Sequence, residues 1–308
     1  MILAAGLSPA WQQTLRFDHL ELGGVNRCRD AYWCGSGKVL NVGVALHHLC
    51  NRRPGGSLTI STLGGATFAP IDREMEALGV PCRWIRTAAP TRVCTTLVDE
   101  ANGNATELVE NAGAVTREEL AEFERQFAEA ARTATAVVLT GSLPSGVPAG
   151  FFRQLLEHVH CPAVLDVRGA ELLAALDAKP AVVKPNRQEL AATLGRPMAS
   201  DEELLSGIEE LRQRGAQSVV VTSGGAASWV SSGGQIHRLT PPTVHRAVNP
   251  IGCGDCLAAG LGHALGEGLD MVAAVTRGMT LAADNLQTLL PSDFDGRRAR
   301  LETRRITQ

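Results

Sequence analysis

Residues 248–261 read VNPIGCGDCLAAGL, a segment with glycines and an aspartate around a Cys–x–x–Cys pair. After Gly254 the apolar residues recur at helical spacing, which predicts a loop leading into a helix N-terminus. Backbone N–H groups at such a terminus bind anions, and glycines let the backbone approach closely. These groups would come from Gly252, Cys253 and Gly254. Asp255, in the first turn, is placed to accept a proton from a hydroxyl that attacks a phosphoryl group.

The cysteine pair offers a competing interpretation as a redox or metal site. A zinc site needs two further ligands, and the sequence has no second Cys–x–x–Cys pair and no His–x–x–x–His pair. Helical spacing also places Cys256 on the buried face. A position at a helix N-terminus would lower the pKa of the Cys253 thiol, and loss of activity on alkylation would test this. A third interpretation is that the glycines only make a tight turn.

Composition limits the class of protein. The 308 residues are 44% hydrophobic and 20% charged, with a formal net charge of -3, which allows a large core and disfavours generic nucleic-acid binding. The Arg-rich stretch 296–308 is interpreted as a solvated C-terminus. No apolar run reaches the ~18 residues of a membrane span, and no signal sequence is apparent, so we expect a cytoplasmic protein with no membrane partner.

Short apolar runs alternate with helical patterns along the chain. The helical stretch 116–134 opens on Thr116 with Glu119 three residues later, a capping box, and 201–215 ends on Gly215. This order predicts one α/β domain over 1–308 with a mostly parallel sheet and helices on both faces. Ligands bind such sheets beyond the carboxyl ends of the strands. The predicted strands are 2–7, 57–65, 136–141, 163–167, 181–186 and 218–225.

Two stretches interrupt this alternation. Residues 9–36 alternate weakly, and residues 91–112 have the pattern of a hairpin with a turn at Glu100–Asn104. Both are predicted to supply strands of a small sheet that forms a lid over the strand ends. Its edge would pair two subunits into a homodimer or be covered within one chain.

Further polar motifs follow the predicted strands. In KPNRQEL (184–190), Asn186 and Glu189 share a helix face and suit Mg²⁺ and its waters, although they are also a good helix cap. The loop TSGGAA (222–227) is expected to lie against a nucleotide. In GSGKVLN (35–41), a Gly-rich turn opens a helix.

Lys38, in that Gly-rich turn, is either a surface lysine or part of a cationic pocket. Together with Arg27 and Arg92 on the proposed lid, it would bind a substrate phosphate.

Taken together, these motifs resemble the ribokinase-like (PfkB) family of carbohydrate kinases. Similar segments run along nearly the whole chain, and GGVNR, TGSLPSGVP and KPNRQEL most resemble the branch of 1-phosphofructokinases and tagatose-6-phosphate kinases. The resemblance implies a Rossmann-like α/β fold with a β-sheet lid that often pairs two subunits. It also implies transfer of the ATP γ-phosphate, with Mg²⁺, to a hydroxyl of a sugar phosphate.

The resemblance also implies residue roles. Asp255 is the base, and the N–H groups of Gly252, Cys253 and Gly254 form the anion hole. Asn186 and Glu189 lie near the phosphates and Mg²⁺, with Asn186 acting on the metal through water. The other implied site residues are Thr222 and Gly224 in the nucleotide loop and Gly37, Lys38, Asn41 and Arg92 at the sugar phosphate.

Departures from the family pattern concern mainly the sugar site. Gln12 stands where an Asp usually grips sugar hydroxyls, and Ser8 stands where Asn is usual. Glycine is usual at the positions of Ser36, Val39 and Ala227. Val39 is expected to add bulk close to the sugar.

We therefore expect an active phosphosugar kinase with an altered sugar pocket, in which Gln12 is part of the substrate site. Two alternatives stay open. One is a kinase for an unphosphorylated sugar or nucleoside, and the other is a non-catalytic protein that binds a sugar phosphate or nucleotide.

Overall fold

The computed structural model describes residues 1–306, with side chains as far as Leu301. The strands of this part of the chain are β1 (Ile2–Gly6), β2 (Ala10–Phe17), β3 (Asp30–Ser36), β4 (Ser57–Gly64), β5 (Cys82–Thr87), β6 (Arg92–Asp99), β7 (Asn104–Val109), β8 (Ala136–Thr140), β9 (Ala163–Asp166), β10 (Val182–Val183), β11 (Val219–Ser223), β12 (Ala226–Ser232) and β13 (Gln235–Leu239). The helices are α1 (Lys38–Leu49), α2 (Phe68–Leu78), α3 (Arg117–Ala131), α4 (Phe151–Leu156), α5 (Gly169–Ala175), α6 (Arg187–Leu194), α7 (Asp201–Gln213), α8 (Cys253–Gly266), α9 (Met271–Leu286) and α10 (Arg297–Ile306), with a 3₁₀ turn at Leu176–Ala178.

A nine-stranded sheet forms the centre, in the order β13-β12-β11-β10-β9-β8-β1-β4-β5. Neighbours from β11 to β5 are parallel, and β12 and β13 continue the sheet antiparallel. Alternate residues of β1 face opposite apolar layers. Leu3 packs with the phenylalanines of α3 and α4, and Ala4 packs with α1, α8 and α9. The predicted α/β fold with helices on both faces of a mostly parallel sheet is confirmed.

Most predicted elements match the structure to within a few residues. The exception is the strand predicted over 181–186, of which only Val182 and Val183 pair as β10. Pro185 has no backbone N–H, so the chain leaves the sheet there and enters α6 with Asn186 as N-cap. The capping box of Thr116 and Glu119 opens α3 as predicted. Gly215 follows α7, which ends at Gln213 with Arg214 as C-cap.

The second sheet is small and has the strand order β3-β2-β6-β7. β2 and β6 run parallel, and the outer pairs are antiparallel. The hairpin of β6 and β7 turns between Asp99 and Asn104, as the sequence predicts. We call this four-stranded sheet the lid sheet, because only three residues separate β2 from Gly6, the carboxyl end of β1.

The C-terminal arginines do not all face solvent, contrary to the expectation for 296–308. Arg298, at the start of α10, is 1% exposed, and its Nε donates to Glu74 Oε1 at 3.0 Å. Its other nitrogens donate to the carbonyls of Pro291 and Gly35. A buried guanidinium with these acceptors joins the C-terminal segment to α2 and to the end of β3. Within the described residues, no helix is both long and apolar enough to cross a bilayer.

Candidate active site

A cleft of about 1140 Å³ opens at the carboxyl ends of the parallel strands and beneath the lid sheet. Parallel strands end at one edge, so side chains that are distant in sequence meet there. The wall includes nearly all the site residues predicted from the sequence: Gln12, Gly37, Lys38, Asn41, Arg92, Asn186, Glu189, Thr222, Gly224, Gly252, Cys253, Gly254 and Asp255.

The loop before α8 has the conformation expected of an anion site. Gly252 is its N-cap and has φ +88°, in the left-handed region that favours glycine. A Cβ added there would lie 2.9 Å from Pro291 Cβ, so a side chain is excluded on packing grounds as well. Gly252, Cys253 and Gly254 line the cleft where α8 begins, and N–H groups at a helix start favour an anion. The Cys253 N–H also donates to the Pro250 carbonyl at 3.2 Å.

Asp255 sits in this first turn and is 6% exposed. Asn41 of α1 donates from Nδ2 to Asp255 Oδ2 at 2.8 Å. Burial raises the pKa of Asp255 to about 6, and the negative charge of Asp166 adds to this, whereas Lys38, Lys184 and the Asn41 bond oppose it. A carboxylate with this pKa is ionised at neutral pH and is a stronger base than an ordinary aspartate.

Asp166, at the end of β9, gathers two lysines. Its Oδ1 accepts from Lys184 Nζ at 3.0 Å and from Lys38 Nζ at 3.2 Å, and its Oδ2 accepts from Thr140 Oγ1 at 3.1 Å. Burial alone would raise the pKa of Asp166, but the two lysines hold it below its ordinary value. Lys38 also lies 3.4 Å from Glu189 Oε1. Burial opposes its charge, yet Asp166 and Glu189 keep the pKa of Lys38 above its usual range.

Asp166 and Lys184 were missed as site residues in the sequence. Each stands at the carboxyl end of a buried parallel strand, in VLDVRG and in AVVKPN. Polar residues at those positions were the available signal, because ligands bind at that edge. Lys38 was assigned to a substrate phosphate, but the structure pairs it with two carboxylates.

The helix-cap role considered for Asn186 and Glu189 is confirmed. Asn186 Oδ1 accepts from the Glu189 N–H at 2.7 Å, and Glu189 Oε2 accepts from the Asn186 N–H at 2.9 Å, which closes a capping box. Glu189 Oε1 remains on the cleft side, near Lys38. No group of three or more metal-ligating side chains occurs among the described residues. A Mg²⁺ ion would fit here as an ion held mainly by phosphates and water, with Glu189 in support.

The lid side of the cleft carries Gln12 and Arg92. Gln12 is buried and donates from Nε2 to Thr96 Oγ1 at 2.8 Å. The Arg92 guanidinium donates to the carbonyls of Ser8 at 3.1 Å, Pro9 at 3.3 Å and Glu110 at 3.2 Å. These acceptors are neutral, but Glu107 of β7 also lines the cleft and interacts electrostatically with Arg92, so part of the positive charge remains for an anion.

The opposite side of the cleft is less polar. Thr222 lies at an irregularity of β11 and forms a β-bridge with Asn186, and Gly224 lies in the turn to β12. Apolar residues of α9 and of the loop before α8 complete this side: Ile251, Met279, Ala282, Ala283 and Leu286. A slot of this kind suits the flat base of a nucleotide.

The structure corrects three sequence-based expectations. Arg27 is exposed in the segment between β2 and β3 and does not line the cleft, so the pocket of three cations is not formed within the chain. Val39 does not crowd the sugar site, because α1 turns its side chain into the apolar cluster around Leu63 and Ile71. Burial raises the pKa of Cys253, contrary to the lowering expected from the helix N-terminus, and the Asp255 carboxylate acts in the same direction.

Two further observations concern residues beside the site. Cys256 is fully buried and Cys253 is a free thiol, so the cysteine pair forms neither a disulfide nor a metal site. Arg168, two residues after Asp166, lines the cleft with an exposed side chain and makes no ion pair with any described residue. It was not singled out in the sequence.

The profile of the pfkB family of carbohydrate kinases matches residues 24–293. The chain belongs to this family. As a pfkB family member it is a phosphotransferase that acts on a sugar hydroxyl, and kinases of the family use ATP.

Solved structures with the same fold include relatives of low identity. The tetrameric inhibited form of phosphofructokinase-2 from Escherichia coli has a TM-score of 0.84 at 24% identity, covering 97% of this chain and 98% of that one. A possible 1-phosphofructokinase from Thermotoga maritima has a TM-score of 0.84 at 19% identity, covering 94% and 93%. Ribokinase from the same organism has a TM-score of 0.75 at 17% identity, covering 98% of both. These likenesses establish the ribokinase-like fold.

Proposed function

We propose that this pfkB family kinase transfers the γ-phosphate of ATP to a hydroxyl of a sugar phosphate, in the manner of a 1-phosphofructokinase or a tagatose-6-phosphate kinase. The observation that carries the proposal is the position of Asp255. It is a buried base in the first turn of α8, beside the N–H groups of Gly252–Gly254 and within one cleft with cationic side chains. This is the pairing of a base with an anion site that phosphoryl transfer requires.

In this mechanism, Asp255 takes the proton of the attacking hydroxyl. The N–H groups of Gly252, Cys253 and Gly254 stabilise the charge that develops on the transferred group. Lys184 and Lys38, held by Asp166, add positive charge beside the phosphates. Mg²⁺, when bound, neutralises phosphate charge.

The sugar-phosphate assignment is supported by two arginines on the cleft wall. Arg92 donates to neutral carbonyls, and Arg168 makes no ion pair with a described residue, so both leave positive charge for an anionic acceptor. A neutral sugar or nucleoside would leave these charges unused. Gln12, with a neutral amide in place of the usual carboxylate, favours a sugar different from fructose 1-phosphate or a weaker grip on it.

The test is ADP release from MgATP across a panel of sugar phosphates and free sugars, with Asp255→Asn as the inactive control. The proposal expects turnover of a phosphosugar that the variant loses. Turnover of free sugars alone would favour the alternative of a kinase for an unphosphorylated sugar. Binding of a phosphosugar with no ADP release would favour a non-catalytic binding protein.

A homodimer through the lid sheet is proposed on the exposure of its apolar residues. Leu22 and Val25, between β2 and β3, are 91% and 94% exposed, and Leu108 and Val109 on the edge strand β7 are about half exposed. Exposed apolar residues on an edge strand and in a connection of the same small sheet favour a contact surface. Light scattering of the wild type and of Leu22→Asp/Val25→Asp tests this. The double variant is expected to be monomeric, and a wild-type monomer at micromolar concentration would contradict the proposal.

A further inference from the structure

The orientation of the Asn41 amide decides how Asp255 is held. The two ends of a side-chain amide differ only as donor and acceptor, so the amide needs a partner at each end to keep one orientation. Asn41 Nδ2 faces the Asp255 carboxylate at 2.8 Å. At the other end, Ser36 Oγ donates to Asn41 Oδ1 at 3.0 Å. All three side chains are buried, so water does not replace either partner freely.

The backbone next to Ser36 and the backbone of Asn41 are both held by further hydrogen bonds. Next to Ser36, the Gly35 N–H donates to Glu74 Oε2 at 2.6 Å, and the Gly35 carbonyl accepts from Arg298. The Asn41 carbonyl accepts from Ser292 Oγ at 3.0 Å. Little conformational entropy is therefore lost when the Ser36 hydroxyl meets the amide.

We propose that Ser36 is a positioning residue for phosphoryl transfer, because its hydroxyl holds the Asn41 amide with the NH₂ group toward the Asp255 carboxylate. The proposal rests on the proposed function for its kinetic consequences only. Ser36 was noted in the sequence as a departure from the usual glycine, and a glycine there has no hydroxyl to offer. In the structure, the Ser36 hydroxyl has the Asn41 amide as its partner, next to Asp255.

Removal of the hydroxyl leaves a buried amide oxygen without its donor. The amide of Asn41 would then spend part of its time turned, with its oxygen toward Asp255, and the carboxylate would lose a hydrogen bond that favours its ionised form. In Ser36→Ala, we expect the acid limb of the kcat profile to move up by about 0.5–1 pH unit. At mildly acidic pH, kcat should fall about 3- to 10-fold, while KM for MgATP is unchanged.

The charged groups that face Asp255 stay in place in this variant. They are Lys38 from α1, Asp166 from β9 and Lys184 from the segment after β10. The thiols of Cys253 and Cys256 on its own helix are also retained. A moved titration of Asp255 would therefore report the lost hydroxyl and not a lost charge.

A matched control is available in Ser57→Ala. Ser57 is buried, its Oγ has no hydrogen-bond partner, and it starts β4 opposite Ile2, at the end of the sheet away from the cleft. The same hydroxyl is removed from the core without touching the base. Its kcat profile and the titration of Asp255 are expected to match the wild type.

The deciding measurement is the pKa of Asp255 from ¹³C NMR of protein labelled at the aspartate carboxyl carbons, with the signal assigned through Asp255→Asn. It is read in the wild type, Ser36→Ala and Ser57→Ala, alongside kcat against pH. An upward move in Ser36→Ala alone supports the proposal. An unchanged titration overturns it, even if kcat and the unfolding temperature both fall, because the role of Ser36 would then be structural. If the wild type turns over nothing on the panel, the proposed function fails, and the NMR titration still decides what Ser36 does.

Discussion

Replacing Asp255 with asparagine should remove activity and, at the same time, stabilise the fold. The buried carboxylate faces two lysines and Asp166, and burial raises its pKa to about 6. An unfolded chain keeps the same carboxylate in water at an ordinary aspartate pKa, about two units lower. The folded protein therefore holds the charged form at a cost, which the neutral amide avoids. Asparagine can still meet Asn41 by presenting its side-chain oxygen to Nδ2.

The size and sign of the effect follow from linkage. Each pKa unit corresponds to about 1.4 kcal/mol, so the full shift is worth about 3 kcal/mol. This net shift already includes the attraction of Lys38 and Lys184, and we expect a gain of about 1–3 kcal/mol above pH 6 or so. Below about pH 4 the carboxyl is protonated in both folded and unfolded states, and the gain should vanish. In a chain of this length it corresponds to about 2–5 °C in unfolding temperature.

Two assays test this prediction. Calorimetry at about pH 8 and about pH 4 compares the stabilities of the variant and the wild type across the titration of Asp255. ADP release from MgATP should fall by about 10²–10⁴ in the variant, the usual contribution of a positioned base. Equal stability differences at both pH values would refute the burial argument. Retention of most of the turnover would refute the assignment of the base.

Four further predictions concern the surroundings of the base. Gly252→Ala should lose about 2 kcal/mol of stability and most activity, since φ at Gly252 is +88° and the side chain of Pro291 occupies the space of an added Cβ. Gly254→Ala should fold normally in the same calorimetric scan, because its added methyl meets only a lysine Nζ at 3.6 Å. Arg168→Gln should raise KM about 10-fold for a phosphosugar and not for MgATP in steady-state assays; an unchanged KM would remove this residue from the substrate site. Arg298→Met should lower the free energy of unfolding in urea by about 3–5 kcal/mol, because it leaves the buried Glu74 carboxylate without its ion-pair partner. Adding Glu74→Gln to this variant should recover part of the loss. Iodoacetamide near neutral pH should spare Cys253, whose thiol pKa is raised, in peptide mass mapping; rapid labelling there would contradict the burial.

The sequence alone determined the fold class, and it also gave the proposal that Asp255 is the base. Buried runs such as ILAAG are apolar throughout, which is how strands covered on both faces must look, and the capping box of Thr116 and Glu119 marks a helix start locally. Asp255 could also be located, because the glycines before it and the helical pattern after it lie within one short segment. Each of these signals depends on neighbours in the chain.

Only the tertiary structure decided which charges meet. Lys38 lies 128 positions from Asp166 in sequence, so no local pattern could show that they pair. The burial of Arg298 likewise depends on Glu74, Gly35 and Pro291, which come from separate parts of the chain. The thiol of Cys253 shows the same limit, since the helix terminus was visible in the sequence but the desolvation that outweighs it was not. Ionisation responds to distance and burial in three dimensions, and these are properties of the packed fold.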